Sequence, residues 1–158
     1  MVRTAEDSVG STGVAAARPS LLYVVKQVEL AARSHMDEVL KPAGITALQY
    51  TALTVLRRRD GLSSAQLARN SFVTAQSMAD MITALERRGL ITRRRDPENR
   101  RAMLISLTDE GRELLAAHDA AMDALEERML SGLTARQRRD LESYLNRCRT
   151  ALSDVPPH

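Results

Sequence analysis

From Ser63 to Leu107 the spacing of apolar residues changes once, and that change restricts what the segment can become. Up to Leu85 apolar positions recur at helical intervals. Leu67 and Ala68 mark one short stretch, and Met78, Met81, Ile82 and Leu85 mark a second. After the Gly89 stop, Leu90 to Arg95 and Ala102 to Leu107 read as two strands around Asp96-Pro97-Glu98-Asn99, which is turn chemistry. Two short helices and an arginine-bearing hairpin in that order make a winged helix-turn-helix, whose second helix is shaped for the major groove of a DNA duplex. A helical hairpin alone would be weak evidence. The hairpin directly after it adds a wing that can reach phosphates or the minor groove.

The flanks are helical. Leu21, Val25, Val28, Ala32, Met36 and Val39 share one face of a helix predicted from Ser20 to Leu40, with Lys41-Pro42 ending it because the residue before proline is pushed out of the helical region. Three capping boxes, Thr46 to Gln49, Ser63 to Gln66 and Thr134 to Gln137, predict three helix starts. The fourth helix is expected from Thr74 to Arg88. A fifth runs from Thr108 to about Leu130, and the sixth carries Leu141, Leu145, Cys148 and Leu152 before Pro156-Pro157. The predicted order is α-α-α-α-β-β-α-α, mainly helical with a two-stranded β wing. Residues 1–18 lack periodicity and are expected to be a mobile arm.

Composition narrows the function. The 158 residues are 44% hydrophobic and 27% charged, as in a soluble globular chain, and no apolar stretch approaches a membrane span. No signal peptide is evident, so a cytoplasmic location is expected. Net charge is only +3, but Arg57 to Arg59, Arg87-Arg88, Arg93 to Arg95 and Arg100-Arg101 cluster around the motif. Cys148 is alone, so it forms no intramolecular disulfide, and it is read as a buried small hydrophobe rather than a redox switch. His35, His118 and His158 have no metal-ligand spacing. No cofactor, phosphate loop or nucleophile–base pair is predicted, which argues against an enzyme.

In sum these motifs resemble the MarR (multiple antibiotic resistance regulator) family. The residues concerned are Leu67-Ala68, Val73 to Met78, Leu85-Glu86-Arg87-Arg88-Gly89-Leu90-Ile91, the wing Asp96 to Ala102, and Leu107-Thr108-Asp109-Glu110-Gly111. The likeness covers roughly residues 20 to 152. It implies a winged helix-turn-helix over residues 43–108, flanked by N- and C-terminal dimerisation helices over 19–42 and 109–155. It also implies a homodimer on a near-palindromic duplex, with half-sites about 10 bp apart or a multiple of it. A repressor is the expected role.

Carried over by position, the start of the fourth helix faces base edges. Thr74, Gln76 and Ser77 are its polar candidates, and Ala75 and Met78 are candidates for a thymine methyl. Ser63, Arg93, Arg95, Arg100 and Arg101 complete the expected DNA-binding set, with Arg101 at the arginine of the family's Asp-x-Arg wing ending. The chain departs from that ending at Asn99, where Asp96 or an Asn99 hydrogen bond would take over the anchoring. At most two of the three strand arginines can face DNA, and a structural salt bridge is the alternative role for the third. The resemblance also implies a small anionic aromatic effector in a cleft lined by His35, Met36, Tyr50 and Met122. The competing reading is a winged helix used for protein or RNA contact, supported by Asp80 and by the lack of arginine at the start of the fourth helix.

Overall fold

The computed structural model describes residues 18–153; the expected arm over 1–18 and the Pro156-Pro157 ending lie almost wholly outside them. Helix α1 (Leu21–Leu40) starts at Ser20, whose hydroxyl accepts from the Tyr23 N–H. The chain does not leave helical space before Pro42. Lys41 stays right-handed helical (φ −51°, ψ −45°), and Lys41–Ala43 form one 3-10 turn with Pro at a position where its missing N–H costs nothing. The reversal falls at Gly44 (φ 67°), a left-handed position suited to glycine.

Helices α2 (Ala47–Arg58), α3 (Ser64–Ser71) and α6 (Ala135–Leu152) each begin with the capping box read from the sequence. Helices α4 (Ala75–Arg87) and α5 (Asp109–Met129) begin at Thr74 and Thr108, each hydroxyl accepting an N–H three residues on. Strands β2 (Ile91–Arg95) and β3 (Met103–Leu107) pair antiparallel, Ile91 opposite Leu107 and Arg95 opposite Met103. The sheet has a third member that the two-stranded expectation missed. Leu62–Ser63 form β1, pairing with the outer side of β3 in the order β1-β3-β2.

One core joins these parts. Leu53 and Leu56 of α2, Leu67 of α3, Met78 and Leu85 of α4, Ile105 of β3 and Leu115 of α5 are fully or almost fully buried together. Burying side chains of this size contributes about 1.5–3 kcal/mol each.

The Leu107-to-Gly111 junction ties the wing to the helix before it. Thr108 donates its hydroxyl proton to the Gly89 carbonyl (2.6 Å), and its N–H reaches the Leu90 carbonyl (3.2 Å). At Gly111 an added Cβ would stand 2.2 Å from the Leu90 carbonyl oxygen. Only glycine lets the first turn of α5 sit that close. Among the described residues, no helix is long and apolar enough to cross a membrane.

Candidate nucleic-acid interface

Helix α4 is sharply two-faced. Met78, Ile82 and Leu85 are buried, whereas Thr74, Ala75, Gln76 and Ser77 in its first turn are exposed. The Thr74 hydroxyl accepts from the Ser77 N–H (3.1 Å) and donates to the Ser77 hydroxyl (3.0 Å), so the proton of Ser77 remains free to donate outward. Asp80 holds the Gln76 amide through Nε2 at 3.3 Å, leaving the second amide proton and the carbonyl oxygen of Gln76 available. Met78 is not part of this surface. It is fully buried in the core, which removes it from the set of thymine-methyl contacts and leaves Ala75. Half-buried Ser63 accepts from the Gln66 N–H at the start of α3 and keeps its own proton free.

The arginine clusters divide into two kinds. Arg57 clamps Asp119 of α5 through two contacts of 2.8 and 2.9 Å. Arg88 donates to the carbonyls of Gly44 (2.6 Å) and Ala43 (2.5 Å), fastening the end of α4 to the turn after α1. Arg93 donates to Glu86 at 2.5 Å, and this bond holds the Glu86 carboxyl below its ordinary range and raises Arg93. Arg93 thus makes the salt bridge that the sequence offered as the alternative role for one strand arginine, while its side chain stays exposed. Arg95 reaches the Arg100 carbonyl at 3.5 Å, a long contact. Arg58, Arg59, Arg87, Arg94, Arg100 and Arg101 are exposed, and their side chains donate no hydrogen bond to the described residues.

The wing tip is closed without the family's aspartate. The Asn99 side-chain oxygen accepts from the Arg101 N–H (3.2 Å), the Asp96 carboxylate accepts from the Glu98 N–H (2.9 Å), and backbone bonds link Asp96 with Ala102 and Ala102 with Asn99. Asn99 and Asp96 share the anchoring, and the Arg100 and Arg101 side chains are left without a partner among the described residues.

His35, Met36, Tyr50 and Met122 line one cleft of about 450 Å³ between α1, α5 and α2. Its wall is mostly apolar, and its polar edge includes Glu126 and Arg128. Arg128 lies 3.0 Å from Nε2 of His35; with the arginine as donor, that ring nitrogen is the acceptor. Arg128 was not among the residues picked from the sequence, because nothing in the spacing links it to a histidine 93 positions earlier. Tyr50 ionises above its ordinary value, mainly because it is buried, with Asp119 and Asp123 adding to the shift and Arg57 opposing it. Cys148 is exposed rather than buried in the single chain, on the same α6 face as Leu145 and Leu152. The described residues hold no cluster able to bind a metal ion.

A buried helical pair, an outward first turn on its second helix and a wing with free arginines define the winged helix-turn-helix class. Residues 45–103 match the sequence profile of the MarR family. The HTH-type transcriptional repressor Rv2887 of Mycobacterium tuberculosis is 33% identical over 125 residues, 79% of this chain and 90% of that one. The crystal structure of Rv2887 with p-aminosalicylic acid superposes with a TM-score of 0.67 at 32% identity, covering 82% of this chain and 98% of that one. The Staphylococcus aureus MepR–DNA complex shares the fold at 24% identity and a TM-score of 0.75, covering 85% and 99%. The chain belongs to the MarR family of transcriptional regulators, a regulatory and not an enzymatic role.

Proposed function

We propose that the protein is a homodimeric transcriptional repressor that binds a near-palindromic DNA operator and is released by a small anionic aromatic effector. The observation that carries this reading is the first turn of α4, where Thr74, Ala75, Gln76 and Ser77 are exposed while the opposite face is locked into the core. Gln76 offers a donor and an acceptor for an adenine edge, and Ala75 a surface for a thymine methyl. Arg100 and Arg101 supply the wing's charge to the backbone or minor groove, with Arg95 beside them and Ser63 donating to a phosphate. Residues 43–108 form the DNA-binding unit, and 19–42 with 109–155 the dimerisation region.

The effector belongs in the cleft bounded by His35, Met36, Tyr50 and Met122, where Arg128 can pair with a carboxylate over an apolar floor. The p-aminosalicylic acid bound by Rv2887 is of that chemical class. Such a ligand acts only if it binds one spacing of the two DNA-binding lobes more tightly than the other.

The test is selection of bound duplexes from random DNA, followed by gel-shift titration with and without p-aminosalicylate. A near-palindromic consensus, bound as a dimer and released by the ligand, is the expected result. Binding without sequence preference, or equal binding to RNA, would overturn the DNA-reading part. Ligand-insensitive binding would overturn the effector part.

A further inference from the structure

Four described residues have positive φ, and three of them are glycines: Gly44, Gly61 and Gly89. The fourth is Phe72 (φ 56°, ψ 42°), which ends α3 two residues before the Thr74 cap of α4. A left-handed conformation is unfavourable for any residue with a Cβ, and worse for a bulky one. Glycine is the usual occupant of this helix-ending position. The Phe72 ring is also 77% exposed, so packing within the chain does not compensate the strain. Its backbone does the ordinary work of the turn, the N–H pointing to the carbonyls of Ala68 and Arg69, and glycine would do that equally well. Strain and solvent exposure thus coincide on the only phenylalanine in the sequence.

Consecutive Cα atoms are 3.8 Å apart, so Phe72 lies within about 8 Å of Thr74 along the chain. That places it at the end of α4 that carries Ala75, Gln76 and Ser77. Helix α3, which it ends, packs on α2, α4 and the sheet, within the winged unit and not in the exposed apolar stretch of α1. An exposed ring beside the entry of a groove-binding helix is within reach of base edges, and the apolar feature of the major groove is the thymine 5-methyl group.

We propose that Phe72 reads a thymine methyl at the edge of each half-site, making it a specificity-determining residue held out by a strained backbone. This rests on the DNA-reading function above. The ring contributes apolar contact where the rest of the first turn contributes hydrogen bonds, and both protomers place one ring, so the preference appears twice in a near-palindrome.

The experiment compares wild type, Phe72→Gly and Phe72→Asn on a duplex that wild type selects from random DNA. Each thymine is replaced in turn by deoxyuridine, which deletes only the methyl. Wild type should bind about fourfold more weakly when the contacted thymine loses its methyl. Both variants should be indifferent to that replacement and unchanged at every other thymine. Phe72→Gly should also raise Tm by about 2–4 °C, because it relieves the turn. Identical deoxyuridine profiles for wild type and both variants would overturn the assignment while leaving DNA reading intact. A variant that turns monomeric would also overturn it, giving the ring to a second copy. If wild type selects no consensus, the failure lies in the DNA-reading function itself.

Discussion

Arg93 and Arg101 carry the same charge eight residues apart in different circumstances: Arg93 is tied to Glu86 at 2.5 Å, while the Arg101 side chain at the wing tip donates to none of the described residues. Each phosphate that a cation neutralises steepens the salt dependence of binding by nearly one in the log–log slope. Arg101→Ala should therefore weaken binding to the selected duplex and reduce the slope by about 1, whereas Arg93→Ala should leave the slope nearly unchanged. Gel-shift titrations across salt concentrations measure both, and equal slopes for wild type and Arg101→Ala would remove Arg101 from the interface. Gly111 is a residue-scale constraint of a different kind. Its missing Cβ lets α5 start against the Leu90 carbonyl, so Gly111→Ala forces the helix and the end of the wing apart. Overpacking of this sort costs about 1–3 kcal/mol, occasionally more. A lower denaturant midpoint at unchanged m-value is the expected reading; a midpoint equal to wild type would contradict the close approach.

At the scale of elements, Thr74 combines a cap and a surface group. Thr74→Ala removes the acceptor for the Ser77 N–H and should lower stability by about 1 kcal/mol. Thr74→Ser keeps the cap, so it should restore stability. DNA affinity measured on the two variants then separates the cap from any base contact by the threonine methyl. Helix starts were legible in the sequence because a capping box is a local device, complete within four residues, as at Thr46, Ser63 and Thr134. Strand β1 was not legible. Its two residues have no period of their own, and only pairing of Leu62 with Ile105 across 43 positions makes them a strand. The same limit applies to the arginines. Nothing local tells Arg93 from Arg95, or shows that Arg88 closes on the Gly44 carbonyl 44 residues away. Met78 was misplaced for a simpler reason. From the Thr74 cap four successive positions, Thr74 to Ser77, are exposed, and the fifth, Met78, turns into the core.

For the whole molecule, the unresolved imbalance is apolar surface. Helix α6 has 18 residues and none of them is buried, although Tyr144, Leu145 and Leu152 are large and apolar. The N-terminal half of α1 repeats the pattern: Leu21, Leu22, Val25 and Val28 are each about half exposed or more. In proteins most helical stability comes from packing an apolar face. In the proposed dimer these faces would be covered, and the exposed Cys148 on α6 with them. Val25 lies where a charge would oppose a partner while touching little of its own core, being 54% exposed in the single chain. Val25→Glu should shift the protein from dimer to monomer in sedimentation at micromolar concentration. The winged unit should stay folded, since its core of Leu53, Leu67, Leu85 and Ile105 is complete without α1's first turns. A monomer holds one half-site where the dimer holds two, and linking two sites raises avidity by about 10²–10⁴. The variant should accordingly lose at least about a hundredfold in affinity for the full near-palindrome but little for an isolated half-site. A Val25→Glu protein that remains dimeric, or that binds both duplexes like wild type, would place the interface elsewhere on the molecule.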